Sequence, residues 1–186
     1  GSLIPQTMNG LIVCDKSISV SNVVNGTTRL QPVVMLTGQA AGTLAALCIR
    51  NKQQAREINI RQMQDELLKY KMLIMPYRDA GINHPHYKAI QRIGATGILK
   101  GKGIPYQWAS TSVFIKDFEP FATLSLPAGE YVTIKDAMSV IQLFNKISSE
   151  QLTELLKANW KEWGLQNFNT ARNITRAEMA VMLDNM

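Results

Sequence analysis

The sequence predicts an α-rich, mixed α/β fold in two parts, residues 1–75 and residues 76–186. In the first part an apolar run, a polar loop and a long apolar stretch follow one another, which is the order of a strand–loop–helix unit. Pro76, Gly81 and Pro85 then interrupt regular structure. The second part is a series of amphipathic stretches with capping residues, which predicts helices. We therefore expect a short α/β segment joined to a mostly helical accessory domain.

The first part opens with a predicted strand. Residues 11–14 form a continuous apolar run, typical of a strand that is buried on both faces. Residues 17–29 are rich in Ser, Asn, Thr and Gly, which predicts a loop. Pro32 suits the first turn of a helix, because its missing N–H has no intrahelical partner there. The helix is expected to end near Arg50.

Capping residues mark most of the helices that follow. Asn59, Thr133, Ser149 and Thr175 can each accept a hydrogen bond from the backbone at a helix start. Glu178, three residues after Thr175, completes a capping box. Helices are expected at residues 60–70, 86–96, 134–145 and 150–163 and after Thr175, and short strands or an extended loop at residues 108–126.

The second part contains a short sequence pattern that occurs twice. Residues 132–138 and 174–179 share a pattern in which an aliphatic residue and a Thr precede a basic residue and a short amphipathic stretch. Each follows a helix and a loop. The pattern predicts two related helix–loop–helix units.

Composition favours a folded chain without a nucleic-acid partner. The chain has 186 residues, of which 46% are hydrophobic, so that it can bury a core. The net charge is +6. The basic residues are scattered rather than clustered, which is typical of a solvated surface and not of a nucleic-acid interface.

Cysteine and histidine are too few for a disulfide framework or a metal centre. Cys14 lies in the strand pattern and Cys48 in a helix pattern, so both are expected to be small core residues. His84 and His86 flank Pro85, which favours a helix entry over a pair of metal ligands. We expect no metal.

No membrane-spanning segment and no signal peptide are expected. Residues 33–49 are the most apolar helical stretch, but Thr37, Gln39 and Thr43 interrupt it and it is short for a bilayer. A buried helix is the expectation.

The end of the loop and the start of the long helix form the candidate binding site. A helix N-terminus offers unpaired N–H groups and a partial positive charge. Arg29 could pair with a phosphate or a carboxylate. Gly38 and Gly42 would let another backbone approach the same helix. Residue types alone equally allow a plain strand–loop–helix unit with a close-packed glycine face.

Three short strings of residues carry a family resemblance. The strings SLIP at residues 2–5, GTTR at 26–29 and GQAAGT at 38–43 occur in this order, together with Pro32 and Met35. In these features residues 2–75 resemble the C-terminal part of bacterial FAD-dependent oxidoreductases of the glutathione-reductase-like type. The resemblance implies that the loop and helix line the flavin edge. The residues implied are Asn25, Gly26, Arg29, Pro32, Met35, Gly38, Gln39 and Ala40.

The chain also departs from that family. Where the family usually has Ala-Gly-Arg after the strand, this chain has residues 14–16, Cys-Asp-Lys. Asn22 and Asn25 stand where the loop often has histidine, which removes two candidate proton-transfer groups. No Ser–His–Asp or Cys–His arrangement can be assembled, and the catalytic residues stay unknown.

The phosphate-binding half of such a site is not present in this sequence. FAD domains hold the pyrophosphate with an N-terminal Gly-x-Gly-x-x-Gly turn. Gly101 and Gly103 lack the third glycine, because Tyr106 stands there. The resemblance therefore implies a fragment whose partner is a missing N-terminal half of the same protein. FAD is expected only in the full-length parent, and this chain alone is expected to be inactive.

A second resemblance concerns the C-terminal part. GILKG at residues 97–101 and ITRAE at residues 174–178 are similar to strings in S-layer homology repeats. This resemblance implies an alternative function, a non-catalytic module that binds a cell-wall polysaccharide outside the cytoplasm. Arg176 and Trp108 are the candidate glycan-binding residues, whereas Trp160 and Trp163 are expected in the core. The ITRAE string is equally typical of a well-capped helix start.

Overall fold

The structure is a computed structural model that describes residues 1–75, 77, 80–99, 102–105, 113–116 and 132–186. The chain divides into two compact units, Gly1–Met72 and Leu73–Met186. The division falls three residues before the boundary that we placed from the sequence. Helices dominate the described part of both units.

The first unit contains three α-helices, α1 (Asn22–Thr28), α2 (Gln31–Asn51) and α3 (Ile60–Lys69), preceded by a single 3-10 turn at Asp15–Ser17. The side chain of Ser21 caps α1, and that of Asn59 caps α3 as expected. Its small core consists of residues from α2 and from the segment before α3. The members are Leu44, Leu47 and Ile58, with Ile4, Ile12, Cys48, Ala55 and Met63 packed against them.

The strand expected at residues 11–14 is wrong. These residues have no regular secondary structure, and their segment makes one backbone hydrogen bond, from Val13 N to Leu3 O at 2.8 Å. A strand is stable only beside another strand, and the described residues of the first unit provide none. Cys14 is accordingly exposed instead of buried. The expected loop at 17–29 contains α1, so the strand–loop–helix arrangement is not confirmed.

Helix α2 follows its prediction in extent but not in burial. It spans 21 residues and is long and apolar enough to cross a membrane by length and composition, with a mean hydropathy of 1.6 in its most apolar window. Only 17% of that window is buried. Its buried residues are Ala41, Leu44 and Leu47. The expectation of a buried helix is therefore wrong for the described part of the first unit.

The second unit contains α4 (Tyr87–Gly94), β1 (Lys102–Pro105), β2 (Val113–Lys116), α5 (Ile134–Phe144), α6 (Ser149–Asn159) and α7 (Arg176–Asp184). The strands β1 and β2 form an antiparallel pair in which Lys102 faces Lys116. Capping boxes begin α5, α6 and α7. The cap of α6 is Ser148 and not Ser149, because Ser148 Oγ accepts a hydrogen bond from Gln151 N, and Ser148 N donates to Gln151 Oε1.

The two segments that share the repeated pattern, residues 132–138 and 174–179, pair with each other. Thr133 and Asn173 form an antiparallel bridge, flanked by hydrogen bonds from Ile174 N to Val132 O (2.9 Å) and from Ile134 N to Arg172 O (3.0 Å). Helix α4 packs on α7, and α5 packs on α6. The first helix of each predicted unit therefore packs against the second helix of the other. An antiparallel bridge has local two-fold symmetry, which places the starts of α5 and α7 in equivalent positions.

One polar side chain lies in the core of the second unit. Gln91 is fully buried, and its Oε1 accepts hydrogen bonds from Ile74 N (2.8 Å) and Met75 N (2.7 Å). Its Nε2 donates to Met75 O (2.9 Å). The glutamine side chain therefore pairs with backbone N–H and C=O groups of residues 74–75 and holds this segment against α4.

Candidate functional site

The amino end of α2 is open. Its first intrahelical hydrogen bond runs from Val34 N to Leu30 O at 2.9 Å, and no side chain caps the helix. The N–H groups of Gln31 and Val33 have no partner within the helix, because both residues belong to its first turn, and Pro32 between them has no N–H. The positive pole of this 21-residue helix thus lacks the capping side chain that α3, α5, α6 and α7 have.

Helix α1 places its last residues beside this open end. Only Arg29 and Leu30 separate the two helices. The turn is fixed by a hydrogen bond from Arg29 N to Asn25 O (3.2 Å) and from Leu30 N to Thr27 O (3.4 Å). The hydroxyl of Thr27 also donates to Val24 O at 2.8 Å. The compact turn keeps residues 25–29 next to the first turn of α2.

Two polar side chains of this turn have groups without a partner among the described residues. The Oδ1 atom of Asn25 is buried and has no hydrogen-bond partner among the described residues. Arg29 is exposed, and the described residues offer its guanidinium no carboxylate partner. Gly26 has open space where a side chain would begin. A buried polar atom without a partner is costly, so the turn is suited to a polar ligand or a covering segment.

The face of α2 that follows the turn is apolar and uncovered. Pro32, Met35 and Gln39 are exposed, with Met35 at 69%, and their spacing places them along one face. Gly38 is half-buried beside them, with open space at its Cβ position. Ala40 lies about 140° around the helix from Met35 and is therefore not on this face. The predicted set thus falls into one group around the α1–α2 turn, from which Ala40 is excluded.

Sequence reasoning missed the apolar residues contributed by α1. Val23 is 85% exposed, and Val24 is exposed beside it. We call the exposed set of Val23, Val24, Leu30, Met35 and Leu36 the α1–α2 apolar surface. An exposed cluster of large apolar side chains next to a binding site usually marks a contact surface. The signal was present in Ser21, which is a good helix cap followed by two valines.

The pairing of the two candidate glycan-binding residues stays a prediction. Trp108 lies outside the described residues, and Arg176 is partly buried at the start of α7. Trp160 is 2% exposed and donates from Nε1 to Gln166 O at 3.1 Å, so it is a core residue as expected. Among the residues that the structure describes, no group of three or more His, Cys, Asp and Glu side chains could hold a metal ion.

Comparison with known protein families finds one similarity, and it lies in the first unit. Residues 1–67 match the family model of the FAD dependent oxidoreductases. The match includes α1, α2, most of α3 and every residue predicted at the flavin edge. No curated protein and no solved structure matches the chain. The N-terminal 67 residues are thus similar to a segment of the FAD-dependent oxidoreductases, a family whose name implies FAD binding in its full-length members.

The residues of the α1–α2 turn fit such a cofactor in charge and in hydrogen bonding. A flavin ring has a polar pyrimidine edge that becomes negative on reduction, and the open helix end with Arg29 provides positive potential. The side-chain amide of Asn25, whose Oδ1 has no partner among the described residues, can both donate and accept hydrogen bonds at a ring edge. The exposed Met35 side chain offers an apolar contact for a ring face.

Proposed function

We propose that residues 1–67 form one wall of the flavin site in an FAD-dependent oxidoreductase. The observation that carries this proposal is the uncapped amino end of α2 beside Arg29, which has no ion-pair partner among the described residues, in the segment that matches the family. When bound, FAD supplies the two-electron redox chemistry. The chain's own part is to position the flavin and to stabilise negative charge at its edge.

Each residue of the site has a distinct role in this proposal. Arg29 and the free N–H groups at the start of α2 hold negative charge at the flavin edge. Asn25 exchanges a hydrogen bond with the ring, and Gly26 allows the backbone to approach it. The remaining members of the site, which supply its apolar face and rim, are Pro32, Met35, Gly38 and Gln39.

The nucleotide end of FAD is held by another segment in this proposal. The 186 residues contain no Gly-x-Gly-x-x-Gly turn, which such domains use for the pyrophosphate. We assign that role to an N-terminal half of the same protein, of glutathione-reductase-like type. The α1–α2 apolar surface supports this assignment, because it would lie against such a half. The chain alone then binds FAD weakly and has no activity.

Replacing Arg29 tests the role of the helix end. In the protein that includes the upstream half, we expect Arg29→Gln to weaken FAD binding by about tenfold, because one charge-assisted hydrogen bond is lost. Lys52→Gln is the matched control, since it removes one positive charge at the other end of the same helix. Titration with FAD, followed by quenching of flavin fluorescence, measures both variants. Equal affinity of the two variants would contradict the proposed position of the flavin.

A further inference from the structure

Two asparagines of the first unit precede a glycine, and the structure places them in opposite surroundings. Asn9 is followed by Gly10 and Asn25 by Gly26, and the sequence contains no other Asn-Gly pair. An asparagine before a glycine is the most readily deamidated of all asparagines, because no side chain shields the backbone nitrogen that attacks its amide carbon. Both pairs have this chemistry, so the fold determines which of them reacts.

The first pair lies in a loop without regular secondary structure. Asn9 and Gly10 are both exposed, and Gly10 has open space at its Cβ position. Neither the N–H of Gly10 nor the side chain of Asn9 makes a hydrogen bond with any residue that the structure describes. The attacking nitrogen can therefore turn towards the asparagine side chain without losing a bond.

Positive charges surround this loop. The guanidinium of Arg56 donates to Pro5 O and, at 3.2 Å, to Met8 O, so the loop is held just before the pair. Gly10 lines a groove of about 450 Å³ together with Lys52. The Gly10 nitrogen becomes negative when base removes its proton, and the charges of Arg56 and Lys52 favour that anion.

The second pair is enclosed in helix α1. Asn25 N donates to Ser21 O at 2.8 Å, and Asn25 O accepts from Arg29 N at 3.2 Å, so helical hydrogen bonds run on both sides of the pair. Within a helix the nitrogen that follows an asparagine donates to the carbonyl four residues earlier, and attack on the side chain breaks that bond. The Oδ1 atom of Asn25 is also buried. Reaction at Asn25 therefore requires α1 to open first.

We infer that Asn9 is a site of spontaneous deamidation in the folded chain, and that α1 protects Asn25. The Gly10 nitrogen attacks Cγ of Asn9, a C–N bond forms, and the side-chain amide nitrogen leaves as ammonia. Water then opens the cyclic imide at either carbonyl, which leaves an aspartate or an isoaspartate at position 9. In sum, asparagine and water give aspartate and ammonia, without a change of oxidation state and without a cofactor. The product places a new carboxylate in the loop that Arg56 holds.

Mass spectrometry of the folded chain tests this inference. The chain is incubated at mildly alkaline pH, and the peptides that contain each pair are followed for a gain of about 1 Da. We expect Asn9 to be converted about tenfold faster than Asn25 or more, because α1 must open before the second site reacts. Isoaspartate at position 9, distinguished by fragmentation, marks the passage through the cyclic imide. In denaturant, where α1 is unfolded, the two rates should approach each other.

Two matched variants identify the reacting residue. Asn9→Gln should remove the fast gain in mass, because glutamine must close a larger ring, whereas Asn25→Gln should leave it unchanged. Circular dichroism shows whether each variant is folded. The inference is overturned if Asn9 of the folded chain is not converted, if Asn25 is converted as fast, or if denaturant leaves the ratio of the two rates unchanged. It does not depend on the proposed flavin site, because neither its residues at position 9 and 10 nor its measurement involves FAD.

Discussion

At the scale of single residues, the second unit depends on two buried or half-buried polar groups that the sequence did not single out. Gln91 binds the chain at Ile74 and Met75, and Arg172 joins Glu178 to the loop after α6. Neither pairing follows from local spacing, because the partners are brought together only by tertiary packing. The residues that could be predicted, such as Thr175 with Glu178, interact within one helical turn.

Gln91→Leu should destabilise the second unit by roughly 2–4 kcal/mol. The substitution leaves the N–H groups of Ile74 and Met75 without their acceptor in a region that is largely closed to water. The free energy of unfolding, measured by denaturant titration, checks this. Glu154→Leu, which introduces the same side chain at an exposed site on α6, should change stability little. A Gln91→Leu protein as stable as the unmodified chain would show that the glutamine is not needed to hold residues 74–75 against α4.

Glu178 should make the second unit sensitive to acid. Burial raises the pKa of Glu178, but hydrogen bonds from Arg172 and Thr175 outweigh it and hold the pKa below its usual value. A carboxylate with a depressed pKa stabilises the fold above its unfolded pKa, and this contribution is lost as the pH falls through the folded value. Stability should therefore fall below about pH 4.5, near the ordinary pKa of a glutamate.

The pH profile of Glu178→Gln isolates this contribution. The variant should be less stable at pH 7, and its stability should fall less than that of the unmodified chain between pH 6 and pH 3. Glu154→Gln is the control, because Glu154 is exposed and without a described partner. Parallel profiles for the unmodified chain and Glu178→Gln would contradict the assignment.

At the scale of elements, the sequence predicted helices well and the strand badly. The caps at Asn59, Thr133 and Thr175 are confirmed, because capping is decided by residues within one turn. The strand at residues 11–14 required a partner strand, which apolar patterning cannot supply. Helix α1 was hidden in a polar stretch whose composition resembles a loop, although Ser21 provides its cap.

Helix α2 offers a prediction of its own. Gly42 has open space where a side chain would begin, and glycine within a helix is less favourable than alanine. Gly42→Ala should therefore stabilise this chain by up to about 1 kcal/mol. Thermal unfolding monitored by circular dichroism measures the effect, with Ala46→Gly at another exposed position of α2 as the inverse control. A loss of stability in Gly42→Ala would show that another segment packs against this face of the helix.

At the scale of the whole molecule, the family match covers most of the first unit and none of the second. The family match ends at residue 67, inside α3, so the similarity to FAD-dependent oxidoreductases concerns the first unit. The second unit has its own core and a repeated pair of capped helices that are joined by the Thr133–Asn173 bridge. The sequence indicated this repeat, whereas the conformation of the loop after α6 could not be predicted, because Arg172 holds it from outside the loop.

Titration with FAD tests the central claim most directly. The chain alone is compared with the same chain in the protein that includes the upstream half, and bound flavin is measured by fluorescence quenching. We predict at least a hundredfold tighter binding in the longer protein, because the phosphates and the flavin edge are then held together. Equal binding in both proteins, or no binding in the longer one, would contradict the claim that the start of α2 faces a flavin.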